Sequence, residues 1–175
     1  MISTEDKQAW CDYGDEAERH FAAGRLFELG LGGHINPQKG TNPYVHDLFV
    51  QFPSDLKTVR TPLFKSMELY GIDPQYAVTF NHKDADRYKE LYPNIIVIFD
   101  IRWSNCSKNI DGVDYSVKNM HLTVAGFLTD IRNAIIKSGS KRIDYSRRVE
   151  DTNGNAKASW VFNAQHLQQI SKVES

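Results

Sequence analysis

The sequence predicts an α/β protein in which a central mixed β-sheet is flanked by helices. Two observations predict this class. Segments with the two-residue period of strands alternate along the chain with amphipathic segments that have the period of helices. The segment "NIIVIFDI" at 94–101 is apolar on both faces, which predicts a buried strand. A strand and a helix precede it, so a parallel pair with a right-handed crossover is expected.

The N-terminal third predicts one helix followed by a hairpin. The helix covers residues 5–29, with Ser3 or Thr4 as its cap, and the glycines of "GLGG" end it. A loop with two prolines follows at 34–43. Strand-forming residues then predict a hairpin, with strands at 44–51 and 55–60 and a turn at 52–54.

Turn, cap and periodicity signals bound the elements of the remaining chain. Helices are predicted at 61–74, 82–92, about 115–138 and 164–170. Strands are predicted at 75–80, 94–101, 142–149 and 157–163, with a loop at 109–116. Gly71 is expected to close the first of these helices, and Asn81 is expected to cap the second. The last two strands are predicted to pair as a C-terminal hairpin around an Asn-Gly turn.

Length and composition predict a single globular domain over residues 1–175, with a core at about 5–139 and the C-terminal hairpin and helix at about 140–175. Hydrophobic residues make up 41% of the chain and charged residues 25%. The formal net charge of -1 means that any affinity for nucleic acid must come from a local basic surface.

The cysteines and the N-terminal sequence predict the cellular compartment of the protein. Cys11 and Cys106 are the two cysteines, and their spacing matches neither a zinc motif nor a disulfide framework. The chain begins without a secretory signal pattern and has no apolar run long enough to span a bilayer. We therefore expect a cytoplasmic protein, of a cell or of a virus inside one.

Three charged residues stand in the predicted hairpin at 44–60. Asp55 and Lys57 share one face of their strand, and the predicted turn places Asp47 about opposite Lys57. Two carboxylates at one place suit a hard divalent cation such as Mg²⁺. A nearby lysine can orient water and stabilise charge on a phosphate under attack. The alternative is a solvated face with a weak ion pair.

The pieces "GDEAERHFAAGRLFELG", "YVHD" and "SDLK" occur in an order that resembles the PD-(D/E)XK nuclease superfamily, which has the restriction-endonuclease-like fold. The resemblance implies such a core over residues 10 to about 103. It implies that Asp47 and Asp55 are metal ligands, that Lys57 is the catalytic lysine, and that Mg²⁺ or Mn²⁺ supports phosphodiester hydrolysis. It also implies a homodimer or tetramer. His46 stands where the superfamily signature has proline.

The resemblance further implies a third acidic ligand from the preceding helix. Glu16, Glu18 and Glu28 are the candidates. Helical spacing places Glu18 at the border between the apolar stripe and solvent, which suits a ligand whose stem is packed. Glu28 is the reserve, and the alternative for Glu18 is a surface pair with Arg25.

A set of basic residues is predicted to contact a DNA backbone. Its members are Arg102, Lys141, Arg142, Arg147 and Arg148. Each alone also fits a solvated face. Asp100 lies two residues before Arg102, which predicts a structural charge pair.

These observations predict a Mg²⁺-dependent DNA endonuclease in a homing, restriction, resolvase or phage DNA-processing role. One alternative is a non-catalytic nucleic-acid-binding module on the same fold. The other is a structural or interaction protein in which the three hairpin charges form a buried ion-pair network.

Overall fold

A computed structural model of the chain describes residues 7–42, 44–140, 142–144 and 158–174. The chain divides into two compact units, Met1–Pro53 and Ser54–Ser175. Both units contain helix and strand, and the largest sheet has parallel and antiparallel pairs. The prediction of an α/β protein with a mixed sheet is therefore confirmed.

The first unit begins with one long helical segment. Helix α1 (Lys7–His20) continues through a π-helical turn (Phe21–Arg25) into a short α2 (Leu26–Glu28). Gly30 follows with a φ of 69°, a left-handed conformation that glycine adopts without steric cost. The helix predicted at 5–29 is confirmed over its described residues.

A two-stranded antiparallel sheet completes the first unit. Strand β1 (Gly32–Ile35) pairs with β2 (Leu48–Gln51), and a 3₁₀ helix (Pro37–Gly40) lies in the connection between them. A Cβ atom at Gly33 would come within 2.5 Å of the Phe49 carbonyl oxygen, so this position requires glycine. The segment read as a loop from residue 34 thus begins inside a strand.

The largest sheet of the second unit has the order β11-β8-β5-β3. Its strands are β3 (Ser54–Val59), β5 (Ile96–Trp103), β8 (Met120–Phe127) and β11 (Gln168–Glu174). Strands β3 and β5 are parallel, and the other neighbours are antiparallel. The buried strand predicted at 94–101 is confirmed as β5.

A second, antiparallel sheet has the order β4-β10-β9. Its strands are β4 (Ala77–Asn81), β9 (Arg142–Asp144) and β10 (Ala158–Asn163). The β9–β10 pair confirms the C-terminal hairpin within the described residues. A small hairpin, β6 (Ser107–Ile110) with β7 (Val113–Ser116), occupies the segment predicted as a loop.

Three helices accompany these sheets in the described residues: α3 (Ser66–Tyr70), α4 (His82–Leu91) and α5 (Leu128–Lys137). Gly71 ends α3 with a φ of 68°, and the Asn81 side chain accepts the Lys83 backbone N–H at the start of α4. Both cap predictions are confirmed. The core of this unit is formed by side chains from β4, α4, β5, β8, α5 and β10.

Two predicted strand pairings are wrong. Strand β2 pairs with β1 and β3 pairs with β5, so residues 44–60 do not form a hairpin. The predicted parallel pairing of the strands at 75–80 and 94–101 also fails, because β4 pairs with β10. Local sequence patterns identify a strand, but its pairing partner is chosen among strands that are distant in sequence, which these patterns do not specify.

Two predicted helices are largely wrong. Within the segment 115–138, residues Met120, Leu122 and Val124 are buried in alternation, which is a strand pattern, and only the part from Leu128 is helical. The terminal helix at 164–170 is instead a 3₁₀ turn (Ala164–His166) followed by β11. No helix in the described ranges is long and apolar enough to cross a membrane.

Candidate functional site

In the first unit, two of the predicted metal ligands approach one ammonium group. Glu18 projects from α1, Asp47 immediately precedes β2, and Lys39 lies on the 3₁₀ helix. Lys39 Nζ is in close contact with Glu18 Oε2 and lies 2.9 Å from Asp47 Oδ1. It also lies 3.6 Å from Asp15 Oδ1. We call Lys39, Glu18, Asp47 and Asp15 the Lys39 cluster.

The buried side chain of Asn36 holds this cluster together. Its Oδ1 accepts the Gln38 N–H at the start of the 3₁₀ helix that carries Lys39. Its Nδ2 donates to the His46 carbonyl oxygen, and its backbone N–H donates to that of Asp47. One amide therefore connects the segment that carries the lysine to the segment that carries the carboxylate.

The other glutamates of the helical segment have different partners. Arg25 pairs with Glu28 at 2.7 Å, and His20 lies 3.6 Å from Glu16. Glu18 is thus the one of the three candidate glutamates that meets Lys39. The alternative prediction, a surface pair of Glu18 with Arg25, is wrong, because Glu18 pairs with Lys39 and Arg25 pairs with Glu28.

The Lys39 ammonium and a metal ion would use the same oxygens. Hydrogen bonds to Glu18 and then to Asp47 raise the pKa of Lys39 above its ordinary value, so its charge persists at neutral pH. No group of three or more His, Cys, Asp or Glu side chains in the described residues is arranged to hold a metal ion. Two carboxylates are nevertheless a fitting donor set for Mg²⁺, which keeps several waters and takes one or two protein carboxylates.

In the second unit, Lys57 lies between two carboxylates. The register of β3 sets Asp55 opposite Val97 and Lys57 opposite Phe99, so both charged side chains share a face with the core of the sheet. Lys57 Nζ lies 2.9 Å from Asp55 Oδ2 and 2.6 Å from Asp84 Oδ2 on α4. The predicted common face of Asp55 and Lys57 is confirmed.

Asp84 is a residue that sequence reasoning missed. It lies in the first turn of α4, where a carboxylate is favoured by the helix dipole. Its second oxygen accepts a hydrogen bond from Arg87 at 2.8 Å, and the Tyr88 hydroxyl lies 3.4 Å from Lys57 Nζ. We call Lys57, Asp55, Asp84, Arg87 and Tyr88 the Lys57 cluster. The spacing of Asp84 and Tyr88 on one helix face was a signal for it.

Electrostatics keep Lys57 charged. Burial lowers the pKa of Lys57, but its hydrogen bond to Asp84 and its close contact with Asp55 outweigh this effect and raise that pKa above the ordinary value. Asp55 Oδ2 is buried and makes no well-aligned hydrogen bond, although it lies within ion-pair distance of the ammonium. Lys57 is therefore suited to stabilise negative charge rather than to act as a base.

No protein-family model matches this chain, and no curated protein and no solved structure matches it.

The structure describes only part of the predicted DNA-contacting set. Arg102 is half-exposed on β5, and its Nε lies 3.3 Å from Asp100 Oδ2, which confirms the predicted charge pair. Arg142 is exposed on β9. Lys141, Arg147 and Arg148 lie outside the described residues.

The histidine beside Asp47 packs against an aromatic side chain of β2. The His46 ring meets Phe49 edge-on with 4.5 Å between ring centroids. Its Nε2 lies 3.4 Å from Asn36 Nδ2. The strand pairing that was expected to set Asp47 opposite Lys57 is absent, so the sequence argument for a joint Asp47–Asp55–Lys57 patch loses its geometric basis.

Proposed function

We propose that the protein is a DNA endonuclease that hydrolyses phosphodiester bonds with Mg²⁺ or Mn²⁺. The observation that carries the proposal is the convergence of Glu18 and Asp47 on the Lys39 ammonium. Glu18 projects from α1, and Asp47 immediately precedes β2. Carboxylates that both reach one cation are able to share a metal ion.

Each residue has an assigned task. Glu18 and Asp47 hold the metal ion in the first unit, and a role of Asp55 as a ligand stays a prediction of the family resemblance alone. A divalent ion of this kind supplies Lewis acidity and a more acidic bound water. Lys57 keeps its positive charge and offsets the negative charge that grows on the phosphate group. Cutting both strands of DNA needs two active sites, so the proposed enzyme is a homodimer or tetramer. Its proposed role is homing, restriction, junction resolution or phage DNA processing in the cytoplasm.

The test uses supercoiled plasmid with Mg²⁺, with Mn²⁺ and with EDTA. We expect nicked or linear product with either metal and none with EDTA. Glu18→Gln and Asp47→Asn should each remove cleavage, while Glu16→Gln and Asp111→Asn should not. The two controls remove comparable acids that contact neither Lys39 nor Lys57. Cleavage that survives in both Glu18→Gln and Asp47→Asn would refute the assigned ligands.

One observation favours a second candidate function, a structural or interaction protein. Lys57 is already engaged by Asp55, Asp84 and Tyr88, which is what an ion-pair network requires. In that case neither Mg²⁺ nor Mn²⁺ should change the melting temperature, and no plasmid cleavage should occur. A metal-dependent rise in melting temperature that is lost in Asp47→Asn favours the endonuclease.

A further inference from the structure

The second unit contains another charged cluster besides the Lys57 cluster. It lies on the face of the largest sheet opposite to the face that carries Lys57. Asp100 alternates along β5 with Phe99 and Ile101, which are fully buried on the core side. Its side chain therefore points away from that core, yet the residue is only 9% exposed. Its neighbours in the sheet register are Thr58 on β3 and Thr123 on β8.

Three basic side chains surround the Asp100 carboxylate. Arg60 Nη2 donates to Oδ2 at 2.9 Å, and Arg102 Nε lies 3.3 Å from the same oxygen. His121 Nε2 lies 2.6 Å from Oδ1. Two guanidinium groups thus share one carboxylate, and the group as a whole carries surplus positive charge. We call Asp100, Arg60, Arg102 and His121 the Asp100 cluster.

The carboxylate acts as an anchor for both guanidinium groups. Burial raises the pKa of Asp100, but hydrogen bonds from Arg60 and His121 outweigh it and lower that pKa, so the acid stays ionised. Arg60 Nη1 also donates to the Asp100 carbonyl oxygen at 2.7 Å, which fixes the plane of its guanidinium. A fixed guanidinium loses less conformational freedom when it binds an anion.

Arg102 has donors that its protein contacts leave available. Only its Nε makes contacts within the described part of the chain, to Asp100 and to His121. Its two terminal nitrogens form a fork of the kind that binds phosphate oxygens in pairs. The side chains of Arg60 and Arg102 are 45% and 55% exposed, so this fork is accessible from solvent.

We propose that the Asp100 cluster is a contact site for the phosphate backbone of a nucleic acid. Arg60 and Arg102 contact phosphate oxygens, and Asp100, which His121 also contacts, is a positioning residue. The inference rests on the proposed function, since it names a surface for that substrate. The site lies on an open sheet face, which favours a polymer with several phosphates over a small anion that needs an enclosing pocket.

The test measures binding of a fluorescent DNA duplex by anisotropy in EDTA over a range of salt concentrations. Arg60→Gln and Arg102→Gln should each weaken binding several-fold and reduce the slope of log affinity against log salt by about one. Arg132→Gln is the matched control, because this arginine is exposed on α5 and its loss changes the net charge equally. Losses no larger than in Arg132→Gln overturn the proposal.

The variant Asp100→Asn separates positioning from charge. If the carboxylate only cancels positive charge, its removal should tighten binding. If it positions the guanidinium groups, binding should weaken although the protein becomes more positive. Tighter binding therefore overturns the positioning role, and a melting curve establishes that the variant is folded.

Two further readouts identify the ligand and keep the proposals apart. Inorganic phosphate that binds as tightly as the duplex, and loses affinity equally in Arg102→Gln, would assign the site to a small anion and overturn the polymer assignment. Arg102-dependent binding without plasmid cleavage supports this site while the endonuclease proposal fails. Metal-dependent cleavage with binding that is insensitive to Arg60→Gln and Arg102→Gln leaves the endonuclease standing and removes this site.

Discussion

The Lys39 and Lys57 clusters contain the same chemistry in different settings. Each sets one ammonium group against at least two carboxylates, and each lysine side chain is about a quarter exposed. Lys57 is held between a strand and a helix, with Asp84 only 18% exposed. Lys39 lies on a one-turn 3₁₀ helix, and Asp47 is 60% exposed. The difference indicates that Lys57 keeps its partners, whereas the partners of Lys39 can exchange it for another cation.

The largest expected effect is that of Lys57→Met. It removes the charge proposed to act on the phosphate, so plasmid cleavage should fall at least about 100-fold. It also leaves Asp55 and Asp84 without their shared cation, which should cost about 1–3 kcal/mol in the free energy of unfolding measured with urea. Lys65→Met removes a partly exposed lysine from its pair with the exposed Asp111 and should change neither quantity measurably. Full cleavage by Lys57→Met would contradict the proposed role of this charge.

Lys39→Met, unlike Lys57→Met, is expected to improve a property of the protein, namely its affinity for metal ions. Without the competing ammonium, Glu18 and Asp47 should bind Mn²⁺ about ten-fold more tightly. Isothermal titration calorimetry measures this, again with Lys65→Met as the control. An unchanged Mn²⁺ affinity would mean that the carboxylates around Lys39 do not exchange the ammonium for a metal ion, contrary to the proposed difference from Lys57.

A smaller effect is expected from alkaline pH, and it compares the two lysines directly. The fold raises the pKa of both lysines above that of an ordinary lysine. Each lysine therefore stabilises the fold fully at pH values below its pKa in the unfolded chain and loses this contribution as the pH rises through its pKa in the folded protein. The Nζ resonances of Lys39 and Lys57 should therefore titrate above the ordinary range of a lysine in an NMR titration. The stability lost in Lys57→Met should stay constant from pH 7 to about 10 and shrink above it. Titration of Lys57 near 10.5 would show that its pairs are weak.

The smallest effect is expected from three arginines in the C-terminal part of the sequence. Replacing Arg142, Arg147 and Arg148 by Ala should weaken DNA binding modestly and reduce its salt dependence, because phosphate contacts position DNA without reading its sequence. Mn²⁺ affinity and cleavage at saturating DNA should not change. An unchanged salt slope in anisotropy measurements would return these arginines to a solvated surface.

Elements whose signals are local could be predicted from the sequence. Gly71 and Asn81 bound their helices as expected, and the apolar run of β5 identified a buried strand. Strand partners could not be predicted, because pairing depends on contacts between distant segments. The segment of β8 was misread because its apolar residues also fit a helical stripe, and burial against β5 decided for the strand.

The candidate sites were predictable to the same extent. The common face of Asp55 and Lys57 follows from strand geometry alone, and it is confirmed. Asp84 comes from a helix 27 residues away from Lys57, and the helical spacing of Asp84 and Tyr88 marks a shared face without indicating which strand that face meets. Lys39 lies in a segment read as an ordinary loop, where nothing in the sequence indicates that Glu18 reaches it.

The position of β3 at the end of its sheet gives its charges a second consequence. A strand at a sheet edge offers unpaired backbone groups to any passing chain, which is a route to aggregation. Charged side chains that point inward on an edge strand oppose the docking of another strand, because the newcomer would bury them further. Asp55 and Lys57 are such side chains, and Leu56 between them is exposed on the other face. The same two charges that are proposed to serve catalysis therefore also protect the protein from edge-to-edge self-association.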